Sequence, residues 1–112
     1  MSEPAAADLD DTLAALADPL RRRAVELLAE RPRRAGELAV ELGTTASTMS
    51  KHLRVLRTHG LVSDSHPDFD ARVRIYSLRS APMAALRSWL ASAEAGWADQ
   101  LDAFAAHVER DA

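Results

Sequence analysis

Two apolar stripes separated by a three-residue break constrain this chain more than any other feature. Leu38, Ala39 and Leu42 recur at helical spacing and stop at Gly43. After Thr44 and Thr45, Met49, Leu53 and Leu56 resume that spacing in steps of four and three. Apolar residues three and four apart share one face of a helix. Gly43 suits a C-terminal stop, because without a Cβ it enters positive φ without steric penalty. Thr45 can accept from the amide of Thr48 and so open the next helix. The pattern predicts helices over 35–42 and 46–59, with Gly60 as the second stop. Arg34 stands where a Ser or Thr cap is expected, so the first of these starts is weakly specified. Two short helices joined through a glycine turn read as a helix-turn-helix over 35–59.

The flanking residues build outward from that unit. Leu9, Leu13 and Leu16 predict an amphipathic helix over 8–17. Asp18-Pro19 places a cap before a proline at the first helical position, and Ala24, Val25, Leu27 and Leu28 carry that helix to Glu30. Arg31-Pro32 stops it. Leu61-Val62 and the alternating stretch 72–78 predict two strands, and Pro67-Asp68-Phe69-Asp70 supplies turn chemistry between them. Ala81-Pro82 opens a last helix to Arg110, with Leu86, Leu90, Ala93, Trp97, Leu101, Phe104 and Val108 at steps of three or four. The expected fold is mainly α with a small β-hairpin: four helices, two strands and a long helix. That order is a winged helix-turn-helix, a single domain over 1–112 with its wing at 61–79. A length of 112 residues fits one domain.

Composition narrows the function classes. Apolar residues at 47% and charged residues at 28% describe a globular chain rather than a disordered one. Cysteine is absent. A disulfide framework, a thiolate metal site and a cysteine nucleophile are thereby excluded. No apolar run approaches the roughly 18 residues of a membrane span. The opening MSEPAAADLDD is acidic and lacks the regions of a signal peptide, so a cytoplasmic location is expected. No nucleophile–base pair, phosphate loop or paired carboxylate stands out, and no enzyme is expected. Net charge is −3, but residues 18–60 carry nine Arg or Lys against five acids, while residues 1–17 carry four acids and no base. A basic middle between acidic ends is what a polyanion partner responds to, because binding follows the local field.

With Met49, Leu53 and Leu56 inward, the opposite face of their helix carries Ala46, Ser47, Ser50, Lys51, Arg54 and Arg57. A recognition helix lies in the major groove of double-stranded DNA with its N-terminal residues nearest the bases. Thr45, Ala46, Ser47, Thr48, Ser50 and Lys51 are therefore candidates for base edges and nearby phosphates. Arg54 and Arg57 are candidates for the backbone, where contacts fix register without reading sequence. Arg72 and Arg74, two apart on one strand face, can enter a minor groove. Cross-strand pairing with Asp64, Asp68 or Asp70 is the alternative for them. The Arg21-Arg22-Arg23 run can touch phosphates or simply line a solvated face.

The stretch from Asp18 to Leu78 resembles the bacterial ArsR (SmtB-type) transcriptional regulators. The matching residues are Leu16-Ala17-Asp18-Pro19-Leu20-Arg21, Gly36-Glu37-Leu38-Ala39, Ser50-Lys51-His52-Leu53-Arg54-Val55-Leu56-Arg57, Gly60-Leu61-Val62 and Arg72-Val73-Arg74-Ile75-Tyr76-Ser77-Leu78. The resemblance implies a homodimeric DNA-binding repressor whose first and last helices (8–17 and 81–110) build the dimer. Leu9, Leu13, Leu16, Leu90, Trp97, Leu101, Phe104 and Val108 are the candidate interface, Trp89 the candidate core contact of the last helix. Two-fold symmetry sets two recognition helices about 34 Å apart, one turn of DNA, on an inverted repeat.

The chain departs from the founding members of that family in its metal ligands. Their thiolate site cannot form without cysteine. Their other site pairs Asp-x-His with His-x-x-His or His-x-x-Glu on the last helix, where this chain has Asp99-Gln100-Leu101 and His107-Val108-Glu109-Arg110. No cofactor is expected. His107 with Asp99, Glu109 or Asp111 across a dimer is a candidate for nickel or zinc, and Asp64-x-His66-x-Asp68 puts three further potential ligands on one strand face, although turn-flanking polar residues need no metal. Regulation by an unidentified effector or a sensing partner protein, and a winged-helix module that binds protein instead of DNA, are the alternatives.

Overall fold

The structure, a computed structural model, describes residues 5–67 and 72–111, with the side chains of residues 5–8 excepted. Helix α1 runs over Ala5–Leu16 and α2 over Pro19–Glu30. Strand β1 (Arg33–Arg34) leads into α3 (Ala35–Leu42), and α4 follows over Ala46–Thr58. Strands β2 (Val62–Ser65) and β3 (Ile75–Leu78) precede α5 (Ser80–Asp111). The expected helices are present within a few residues of their predicted ends.

Local chemistry accounts for the helix boundaries. Asp18 accepts from the amides of Leu20 at 2.8 Å and Arg21 at 3.2 Å, ahead of Pro19 at the first turn. Gly43 adopts φ +68° and Gly60 φ +79°, the left-handed turns that close α3 and release the chain from α4. The amide of Thr44 donates to Ala39 O at 3.0 Å, and that of Leu61 to Leu56 O at 2.9 Å, so each glycine turn returns a hydrogen bond to the last turn of its helix. The start of α3 is better specified than a Ser/Thr rule suggests. Glu37 reaches back to accept from the Arg34 amide at 2.9 Å, one half of a capping box.

The sheet corrects the expectation of a simple hairpin. It has three antiparallel strands in the order β1-β3-β2, with Arg33 opposite Tyr76 and Arg34 opposite Ile75. Two residues between a helix stop and a helix start carry no alternation, so no sequence rule finds β1; pairing with β3 creates it. The wing strands are also displaced. The first extends to Ser65, and the second begins at Ile75, which leaves Arg72 and Arg74 ahead of the strand rather than on one of its faces. Asp68, Phe69 and Asp70, expected in the turn, lie outside the described residues.

One core joins these elements. Leu38, Met49, Leu53, Leu56, Leu61 and Val62 are fully buried, with Ala15, Ala24, Val25, Leu28, Ala39 and Tyr76 beside them. Leu16 is half-buried and packs against this core. Leu9 is half-buried and Leu13 is 41% exposed. The long helix contributes no buried residue. It packs on α1 near its start and then runs free; 32 residues at ~1.5 Å each reach ~48 Å. Trp89 is 46% exposed, which corrects its assignment to the core.

Candidate nucleic-acid interface

The outward face of α4 is set by its own inner stripe. Met49, Leu53 and Leu56 are buried, which turns Ala46, Ser47, Ser50, Lys51, Arg54 and Arg57 to the surface, all of them exposed. Thr48 is half-buried and, with Thr45, belongs to the helix start. Its amide donates to Thr45 Oγ1 at 3.0 Å, and Thr45 Oγ1 donates to Thr48 Oγ1 at 2.9 Å. This cap fixes where the helix begins, and hence which residues project from its first turn.

A cleft of about 450 Å³ opens beside that face, between the start of α3, the middle of α4 and the root of the wing. Arg34, Arg54, Arg57, Arg72 and Arg74 line it, with Ser50, Gly36 and Tyr76 between them. Four of these arginines were singled out in the sequence; Arg34 was not. It read as a failed helix cap, and only the pairing of β1 with β3 carries it to the wing. Arg72 and Arg74 both reach the cleft although they do not share a strand face. Arg74 Nε lies 3.7 Å from Asp64 Oδ2, and Arg57 Nη1 lies 3.4 Å from both Asp64 oxygens. The predicted pairing of Arg74 with Asp64 is therefore present, while its alternatives Asp68 and Asp70 fall outside the described residues.

Other basic residues are committed to contacts within the chain. Arg21 Nε donates to Ala15 O at 2.7 Å and its Nη1 meets His52 Nδ1 at 3.2 Å, while Arg22 Nη1 donates to Leu16 O at 2.8 Å. These guanidiniums sit on the last carbonyls of α1, where the helix dipole favours a cation. His52 thus faces Arg21. His59 lies 3.7 Å from Asp11. Among the described residues, which do not include the candidate ligand Asp68, no three His, Asp or Glu side chains converge. His107 pairs with Asp111 one turn on, at 3.0 Å, and His66 Nδ1 meets Val73 O at 3.0 Å.

Two carboxyls that organise helix starts titrate low. The Arg21 amide hydrogen bond holds Asp18 below the ordinary aspartate range despite desolvation, helped by the Leu20 amide and by the charges of His52 and Arg21. The Arg34 amide does the same for Glu37, helped by Arg31, whose Nη2 lies 3.5 Å away.

A second surface is apolar. Leu90, Trp97, Leu101, Phe104 and Val108 form one stripe along α5, 47% to 71% exposed, with Trp89 at its edge. Contiguous exposed apolar surface of this kind marks an interaction site. No helix among the described residues is long and apolar enough to cross a membrane.

Comparison with known proteins places this geometry. The model of the bacterial regulatory protein, arsR family, matches residues 18–64, which hold α2 to α4 and most of β2. The chain is 43% identical over 74 residues to the HTH-type transcriptional regulator Rv2034 of Mycobacterium tuberculosis; the match spans 66% of each chain, just under two thirds. It is similar, at 36% identity and a TM-score of 0.66, to the crystal structure of a possible transcriptional regulator for arsenical resistance, covering 86% of this chain and 94% of that one. An ArsR family transcriptional regulator, RHA00566, aligns with a TM-score of 0.71 at 29% identity, over 80% of this chain and 96% of that one.

Proposed function

The chain belongs to the ArsR family of bacterial regulatory proteins, a family of transcriptional regulators and not of enzymes, and from that premise we propose that it is a cytoplasmic, homodimeric repressor that binds an inverted-repeat operator. One observation carries the reading: the exposed face of α4, with Ser47, Ser50, Lys51 and Arg54, runs directly into the arginine-lined cleft. In a duplex, the first turn of α4 meets base edges in the major groove, while Arg54, Arg57 and Arg34 meet phosphates. Arg72 and Arg74 at the wing reach the flanking minor groove.

The apolar stripe of α5, with Leu13 of α1, supports the dimer. A partner buries it, and each large side chain taken from water contributes on the order of 1.5–3 kcal/mol. A two-fold pair then spaces the recognition helices by about one turn of DNA. Occlusion of a promoter follows from that footprint.

The test is selection of genomic DNA fragments by the purified protein, followed by mobility-shift titration on the recovered site. The expected result is a footprint with inverted symmetry. Absence of DNA retention at low salt, with a protein partner recovered instead, overturns the reading in favour of an interaction module.

A further inference from the structure

Paired with two of the arginines that line the cleft is a carboxylate that simple charge attraction to DNA disfavours. Asp64 stands on β2 opposite Tyr76 of β3, on the side of the sheet that packs against α4. Its side chain is only 17% exposed. Both oxygens lie 3.4 Å from Arg57 Nη1, and Oδ2 lies 3.7 Å from Arg74 Nε. One acid thus spans from the recognition helix to the root of the wing. Pairs as open as these, with the arginines 45% and 50% exposed, add little to folding stability.

We propose that Asp64 is a positioning residue for DNA binding: it holds Arg57 and Arg74 in a fixed mutual arrangement that presents both guanidiniums to one duplex, Arg57 to a phosphate and Arg74 to the flanking minor groove. The inference rests on the DNA-binding reading above. Arginine has five N–H donors in a rigid fork. Asp64 engages Nη1 of Arg57 and lies nearest Nε of Arg74, so the Nη2 group of Arg57 and both terminal nitrogens of Arg74 take no part in these contacts and are left to donate to the duplex. Two long side chains ordered before binding lose less entropy when the complex forms. The unit also ties the wing to α4, so the two approach the duplex as one surface.

Charge alone predicts the opposite sign. Removing a carboxylate beside a basic cleft strengthens attraction to a polyanion, whereas removing a positioning group weakens the complex. The experiment is anisotropy titration of the selected DNA site across a salt series with wild type, Asp64→Asn and Asp64→Glu, thermal midpoints being measured alongside. Asp64→Asn is expected to bind about 3- to 10-fold more weakly, with a salt slope shallower by about 1, at an unchanged midpoint. Asp64→Glu keeps the charge and is expected to stay within about twofold of wild type. In an Arg74→Gln background the effect of Asp64→Asn shrinks, because its partner is gone. An Asp64→Asn protein that binds as tightly as wild type or tighter, or an effect undiminished by Arg74→Gln, overturns the inference. Wild type that retains no DNA in the same titration overturns the DNA reading and this inference with it.

Discussion

Arg33 Nη1 lies 2.7 Å from Glu41 Oε2, joining β1 to the last turn of α3. The same guanidinium donates to Glu30 at 2.8 Å and to Leu27 O at 3.2 Å, so one 5%-exposed side chain ties α2, β1 and α3 together. A buried cation persists only when its donors are taken. Because the carboxylates of Glu30 and Glu41 are 67% and 46% exposed, their loss is softened by water. Arg33→Met is expected to destabilise by about 1–3 kcal/mol, and Glu41→Gln by less, since Glu30 remains. Chemical denaturation of the two variants checks the order.

Asp18 gives a pH signature. Its carboxyl is lowered in the folded protein, so its contribution is complete above the ordinary value of 3.8 and is lost as pH falls through the folded value. Asn also caps helices but does not titrate here. The difference in thermal midpoint between wild type and Asp18→Asn is therefore expected to narrow from about pH 5 to about pH 3. Glu37→Gln is expected to follow the same course, starting from the ordinary value of 4.5. A gap that widens towards low pH contradicts both assignments.

Lys51 and Arg54 divide reading from anchoring. Arg54→Ala is expected to weaken binding to operator and unrelated DNA alike and to reduce the salt slope by about 1. Lys51→Ala, one turn nearer the helix start, is expected to reduce preference for the operator as well, by about 1–3 kcal/mol if it reaches a base. Competition titrations with the selected site and a scrambled duplex separate the two effects.

The stripe of α5 is expected to govern assembly without governing the fold. Trp97→Glu combined with Phe104→Glu places charges on a face that no protomer core uses, both rings being exposed by 66% or more. Analytical ultracentrifugation is expected to show monomer, with the helical signal of α1 to α4 retained and binding to a two-half-site operator reduced at least about tenfold. A variant that stays dimeric places the interface elsewhere.

Much of this molecule is local and was readable residue by residue. The inner stripes, Asp18 and Thr45 as caps, and Gly43 and Gly60 as left-handed stops each depend on side chains within a few positions. Since the inner stripe of α4 sets its outer face by geometry, Lys51 and Arg54 were legible as surface cations before any coordinates. Strand β1 and the position of Arg34 beside the wing were not. They depend on which strand lies beside which, and hydrogen bonds between segments more than 40 residues apart leave no period in the chain. Tertiary structure also assigned the apolar residues of the two outer helices, sending Leu16 inward and Trp89 outward. An amphipathic stripe specifies that a face will be buried but not against what, because apolar burial has no direction of its own.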